Sequence, residues 1–389
     1  MSSDAAASAA PSESAPAPSR RLVSLDALRG FDMFWIVGAE AIVHAIGGLY
    51  GIDEEHPDVS TIPGRLVEQL THAEWQGFRF YDLIFPLFVF IAGVSTVFSL
   101  TKSLERHGRG PTVMRVIRRG VLLYVIGVLY YGGIANGLEG VRLMGVLQRI
   151  ALAYLAAGLL FCFLSWRGLL AACVVLLAGY WAAMTFIPVP GRAADADIYA
   201  EGQNLANYVD KEYLPFFKWD GDYDPEGLLS TFPAIATCLL GVFAGMLLHS
   251  DKFGGHQKAG LLVLIGVACL AGGWGWSYQF PIIKKLWTSS YVLWAGGWSF
   301  LLLALFYEVV EVLGWQAWCQ PFVWIGRNPI TIYLLHQITS FPELAEGVVG
   351  GEVGEALGAY HALANAIVVM VMTFAICWYL DKKRVYLRL

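Results

Sequence analysis

The chain has 389 residues, of which 57% are hydrophobic and 15% charged, and its mean hydropathy is +0.56. Ordinary soluble domains carry about 25% charged side chains, so the composition argues against a soluble protein. The net charge of −5 comes with no basic run interleaved with aromatics, which leaves nucleic-acid binding without support.

The first nineteen residues are mostly Ala, Ser and Pro and contain no apolar core of a signal peptide, so residues 1–20 read as a disordered tail. After Arg20 and Arg21 the apolar spans begin, and one membrane domain accounts for residues 21–389. Spans are expected at 25–48, 80–101, 116–135, 143–165, 168–188, 227–248, 259–280, 288–311, 319–340 and 359–380. This predicts an all-α polytopic membrane protein of about ten transmembrane helices. Arg327-Asn328-Pro329 interrupts the ninth span with a cap residue followed by a Pro suited to a first helical position, so that helix is expected to be broken. All six cysteines lie in or beside apolar stretches without CxxC spacing, so neither disulfides nor a metal site is expected.

With both termini inside, fifteen Lys or Arg side chains fall in inner loops and tails and eight in outer loops. That asymmetry orients the chain and places the long loops 49–79 and 189–226 outside.

The first span contains Asp26, Arg29, Asp32, Glu40 and His44. At 100° per residue all but Asp32 fall on one stripe, about 27 Å long at 1.5 Å per residue. Charges in a bilayer are expensive, so the stripe predicts a polar tunnel across the membrane; a structural Asp26–Arg29 ion pair is the alternative for its inner end. His72, in His72-Ala73-Glu74-Trp75-Gln76-Gly77, falls at the outer surface, where a neutral imidazole can take a proton from a nucleophile. Asp82 enters the same boundary and can orient that ring, as a carboxylate does in a catalytic triad. Arg149, in Gly145-Val146-Leu147-Gln148-Arg149, is expected about 10 Å below the surface and needs a carboxylate such as Glu40, carbonyls or an anionic ligand. Arg327, Asn328, Tyr333, His336 and Gln337 make the ninth span polar enough to line a cavity. Asp224-Pro225-Glu226 reads as a helix start, with no chemistry assigned. Walker-type, HExxH and GxSxG signatures are absent.

Ser24-Leu25-Asp26-Ala27-Leu28-Arg29-Gly30 resembles the opening motif of multi-spanning membrane acyltransferases. The His72–Gly77 segment followed by Asp82-Leu83-Ile84-Phe85-Pro86 is similar to the active-site segment of the heparan-α-glucosaminide N-acetyltransferase family. Gly145–Arg149, Tyr223–Gly227, Leu286–Tyr291 and Asn328-Pro329-Ile330 with His336 follow in that family's order, and the chain looks most like its bacterial branch.

The resemblance implies a transmembrane acyltransferase fold in an inner membrane, with acetyl-CoA taken from the cytoplasm and acetyl passed to a glucosamine-like amino sugar outside. It places the active-site histidine on His72, with Asp82 and Glu40 beside it, Glu40 standing where the family has an Asn. Asp26, Arg29, His44, Asn328 and His336 are expected along the acetyl-CoA path, and Gln148, Arg149 and Trp75 by the acceptor. Asn328 and Gln148 are candidate oxyanion donors. Direct transfer and an acetyl-histidine intermediate both stay open. The expected partners are acetyl-CoA, a glucosamine-containing saccharide and the bilayer, and a homodimer is compatible with the resemblance. No soluble domain is expected ahead of the first motif. An amino-sugar transporter and an O-acyltransferase of surface polysaccharide are the rival readings.

Overall fold

The structure, a computed structural model, describes residues 22–54, 56–135, 137–193 and 195–387. The expected N-terminal tail lies outside the described residues. The first helices are α1 (Val23–Phe34), α2 (Glu40–Leu49), α3 (Ile62–Gln69), α4 (Tyr81–His107), α5 (Arg109–Tyr130), α6 (Val146–Phe163), α7 (Trp166–Phe186) and α8 (Leu205–Tyr213). There follow α9 (Thr231–His249), α10 (Gly255–Ser277), α11 (Ser289–Tyr307), α12 (Gln320–Gly326), α13 (Pro329–Ile338), α14 (Phe341–Val349), α15 (Gly351–Leu357) and α16 (His361–Lys382).

Among the described residues eight segments are long and apolar enough to cross a membrane: α1 with α2, α4, α6, α7, α9, α10, α11, and α15 with α16. In hydrocarbon every backbone polar group must be satisfied within its own segment, which is why such runs fold as helices. Two further expected spans are helical but less apolar. The first half of α5 carries Arg109, Arg115, Arg118 and Arg119. The ninth span is broken into α12 and α13 at Arg327 and Asn328, with Pro329 opening α13.

Lipid tails are as apolar as leucine, so helix association depends on close packing. In the apolar stretches of α9 and α4, 72% and 67% of residues are buried, against 22% in α10, so α9 and α4 form the centre and α10 the perimeter. α1 and α12 meet backbone to backbone: a Cβ on Gly30 would lie 1.7 Å from the Phe322 carbonyl oxygen, and one on Gly326 would lie 1.8 Å from that of Asp26.

Between α1 and α2 the helix widens into a π-helical turn, Trp35–Ala39, where Gly38 takes φ +142°. Only glycine adopts that backbone at little cost. The wide turn breaks the 100° count, so Asp26 and Arg29 on α1 do not form one stripe with Glu40 and His44 on α2. The connections 50–80, 131–145, 187–230, 278–288 and 339–360 gather at one end of the bundle, the loop face; α1 begins and α16 ends at the other.

Candidate active site

Three cavities run through the bundle and share walls. The first opens among the loops, measures about 760 Å³, and is bordered by His72, Trp75, Arg142, Trp219, Glu226 and Lys284. The second, about 220 Å³, shares His72, Val146, Glu226 and Lys284 with it and is otherwise mostly apolar, with Met33, Ile84 and Phe88 in its wall. The third, about 170 Å³, shares Phe88, Leu147, Ile150, Pro329 and Ile330 with the second and ends among Arg29, Arg119 and Arg327. The three cavities therefore lie in succession through the bundle between α1, α4, α6 and α13, each sharing a wall with the next. Of the expected stripe Asp26, Arg29, Glu40 and His44, only Arg29 borders one of these cavities, and Met33 and Ile36 line the middle one.

At the junction of the first two cavities, His72 Nδ1 lies 2.9 Å from Asp82 Oδ1. Asp82 is fully buried in the first turn of α4, where the positive end of the helix favours a carboxylate. Its Oδ2 accepts from the backbone N–H groups of Ala73 at 3.2 Å and Arg79 at 3.0 Å. A carboxylate with both oxygens so occupied fixes the imidazole with its proton on Nδ1, which leaves Nε2 as the acceptor. Lys284 Nζ is 3.3 Å from Asp82 Oδ1 and 2.8 and 3.1 Å from the two ring nitrogens, nearly equidistant and so in line with neither lone pair. Burial holds the Lys284 ammonium below the ordinary lysine value, against the pull of Asp82. The His72 ring packs on that of Tyr81, centroids 4.8 Å apart, and the Tyr81 hydroxyl donates to Glu40.

The loop-face cavity is walled by a buried ion network. Arg142 donates to both carboxylate oxygens of Asp224 at 2.8 Å and to Glu226 Oε2 at 2.7 Å. Its guanidinium lies over the rings of Tyr131 and Trp219, at 4.5 and 4.8 Å. Burial pushes the Glu226 carboxyl up, opposed by Arg149 and Arg142. Trp287, at φ +51°, stands below the cavity in a left-handed backbone that costs a bulky residue energy. It is held by Phe85 at 4.9 Å and by its own Nε1 donating to Thr237 at 3.0 Å.

The structure brings together His72, Asp82, Trp75 and, through Tyr81, Glu40. Arg29 and Asn328 border the α1-end cavity, where Arg29 donates to Ser95 at 2.7 Å and Asp26 lies 3.3 Å away. Four expected site residues fall elsewhere. His44 pairs with Glu54 at 3.4 Å, because the π-helical turn swings α2 off the path. His336 donates toward the Ile332 carbonyl at 3.0 Å and stacks on Phe341 at 4.2 Å, packing α13 against α14. Gln148 is buried and donates to the Arg142 carbonyl at 3.1 Å. Arg149 is buried under the cavity, donates to Ser230 and covers the Trp287 ring at 4.8 Å; it does not pair with Glu40.

Asp224 and Glu226 precede α9 by several residues and belong to the ion network, a correction to their reading as a helix start. Lys284, Glu226 and Tyr81 were missed. Lys284 had a signal, since Lys284-Lys285 departs from the scarcity of basic residues expected outside. Among the described residues no group of three or more His, Cys, Asp or Glu is arranged to hold a metal ion.

The mouse (Mus musculus) heparan-alpha-glucosaminide N-acetyltransferase is 29% identical to this chain over 329 residues, covering 69% of this chain and 49% of that protein. The human (Homo sapiens) protein of that name is 29% identical over 325 residues, covering 69% and 48%. The chain spans about half the length of the curated relatives it matches. The acyltransferase domain family matches residues 22–382, nearly the whole helical bundle. The chain therefore belongs to that family: it is a polytopic membrane acyltransferase similar to heparan-alpha-glucosaminide N-acetyltransferase.

Proposed function

We propose that the protein moves an acetyl group from acetyl-CoA, entering among Arg29, Arg119 and Arg327, to the amine of an amino sugar seated in the loop-face cavity, with His72 as general base. The observation that carries this reading is the His72–Asp82 pair at the junction between the path through the bundle and the loop-face cavity. Guanidinium groups at the α1 end suit the phosphates of CoA. Arg119 Nε has no hydrogen-bond partner among the described residues, which suits an incoming anion. The apolar middle cavity suits a thioester arm and keeps water from it. At the loop face Trp75 and Trp219 offer faces for a sugar ring. In this reading residues 21–389 act as one transferase domain and the loop face lies outside.

The acceptor is an ammonium at neutral pH and attacks only as the free amine. His72 Nε2 takes the proton lost as nitrogen bonds to the carbonyl carbon, and Asp82 steadies the imidazolium. Tyr81 and Glu40 hold the far face of the ring. The test is acetyl transfer from acetyl-CoA to glucosamine by purified protein, followed as free thiol and as N-acetylglucosamine. His72→Ala should lower turnover by about 10² to 10⁴, the usual worth of a general base, with acetyl-CoA binding retained. Near-normal turnover in a folded His72→Ala protein would remove His72 from the mechanism.

A further inference from the structure

We propose that Lys284 is a further catalytic residue: its ammonium receives the negative charge that develops on the acetyl carbonyl oxygen as the amine attacks. The proposal rests on the transferase reading above.

Attack on a thioester converts a neutral carbonyl into an oxyanion, and a fixed donor at that position is usually the largest single electrostatic contribution to such a rate. The two donors suggested by sequence are ill placed. Asn328 borders the α1-end cavity, where its Nδ2 donates to the Val385 carbonyl at 3.1 Å. The Gln148 amide is buried and committed to the Arg142 carbonyl. Lys284 borders both the middle and the loop-face cavities, as His72 does, so it stands where an arriving acetyl group and a seated amine meet. Lys285, its neighbour, is turned to Asp220 at 2.7 Å and borders only the loop-face cavity.

The position over the imidazole adds a second argument. An ammonium 2.8 and 3.1 Å from the ring nitrogens stands beside the base itself, so the proton acceptor and the charge that would receive the oxyanion lie in one cluster.

The step balances as follows. The nitrogen lone pair bonds to the carbonyl carbon, the C=O π pair moves to oxygen beside Lys284, and the nitrogen's proton passes to His72 Nε2. The oxygen pair then restores C=O, the C–S bond breaks, and the thiolate takes the proton from the imidazolium, leaving an amide and free CoA thiol.

The charged and titratable groups facing Lys284 are His72 on the α3–α4 connection, Asp82 and Tyr81 at the start of α4, and Glu226 ahead of α9. Burial lowers the pH at which Lys284 gives up its proton, opposed by Asp82 and Glu226. Loss of the ammonium as pH rises should therefore give kcat a falling alkaline limb.

The experiment measures kcat, the KM for acetyl-CoA, and the pH profile for glucosamine acetylation in wild type, K284M and K284R. The expected result is a fall of about 10²- to 10³-fold in kcat for K284M, the usual cost of losing an oxyanion donor, with the KM for acetyl-CoA little changed. K284R should keep most of the turnover and lose the alkaline limb, because guanidinium does not deprotonate there. A purely structural role would leave that limb where it is. Near-normal kcat in K284M, or an unmoved alkaline limb in K284R, overturns the assignment while His72→Ala stays inactive. Should K284M fail to fold, the K284R profile decides. A wild-type protein that transfers no acetyl group overturns the underlying reading instead.

Discussion

Replacing Asp82 by Asn tests whether the carboxylate sets the tautomer of His72. An amide has one acceptor and one donor where the carboxylate has two acceptors. Asp82 Oδ2 serves two backbone donors, Ala73 N and Arg79 N, and Oδ1 serves His72 Nδ1. Turning the Asn NH₂ toward the backbone would leave both N–H groups facing a donor, at about 1–3 kcal/mol for each unsatisfied group. Turning it toward His72 costs less, since the ring can change tautomer. The Asn therefore keeps its oxygen on the backbone, donates to Nδ1, and drives the imidazole proton onto Nε2, where it blocks the base. The same swap in the Ser-His-Asp triad lowers kcat by about 10⁴. For Asp82→Asn the expectation is a loss of about 10² to 10⁴ in kcat, spanning the worth of a general base, with helix content and acetyl-CoA binding unchanged. The assay is thiol release with glucosamine as acceptor, beside calorimetric binding of acetyl-CoA. Turnover close to wild type in Asp82→Asn would refute the tautomer argument.

Ile150→Trp, in the wall shared by the middle and α1-end cavities, should abolish acetyl transfer while binding of 3′-phospho-ADP persists; unaltered turnover would count against that route. Arg142→Ala leaves Asp224 and Glu226 without their cation and should destabilise the fold by about 3–5 kcal/mol, seen as a lower denaturation temperature in detergent. Gly326→Ala should cost most of the folded protein on size exclusion, because its Cβ would lie 1.8 Å from the Asp26 carbonyl oxygen, whereas Gly48→Ala, with nothing within 4 Å, should not. The connections at the loop face hold twenty acidic and eight basic side chains, so kcat/KM for cationic glucosamine oligomers should fall as salt rises, and a flat salt profile would oppose this.

The spans were legible because a membrane-crossing helix has to be both long and apolar, and α4, α9 and α11 announce themselves by composition alone. The break before Pro329 was legible for a local reason, the loss of a backbone donor and the restriction on the residue before proline. The His72–Asp82 pair was legible from a motif, but its partner Lys284, 212 positions from His72, was not. Nothing local connects them; the fold does, by setting the α10–α11 connection against the α3–α4 connection, with Gly77 N donating to the Ile282 carbonyl at 2.9 Å. The stripe on the first span misled because periodicity assumes an unbroken α-helix, and a single glycine at φ +142° resets the count. For Arg149 the burial cost leaves a carboxylate, carbonyls or an anionic ligand open from sequence, and only the fold selects among them. Hydrogen bonds to Ser230 and the Gly227 carbonyl and the Trp287 face meet part of that cost.

The central claim is that an acetyl group passes through the bundle from one face to the other. Proteoliposomes of one orientation, with acetyl-CoA confined to the α1-end side and glucosamine to the loop-face side, test it directly. The account predicts free thiol on the first side and N-acetylglucosamine on the second, at a rate that His72→Ala abolishes. Product formed only when both substrates share one side would contradict it.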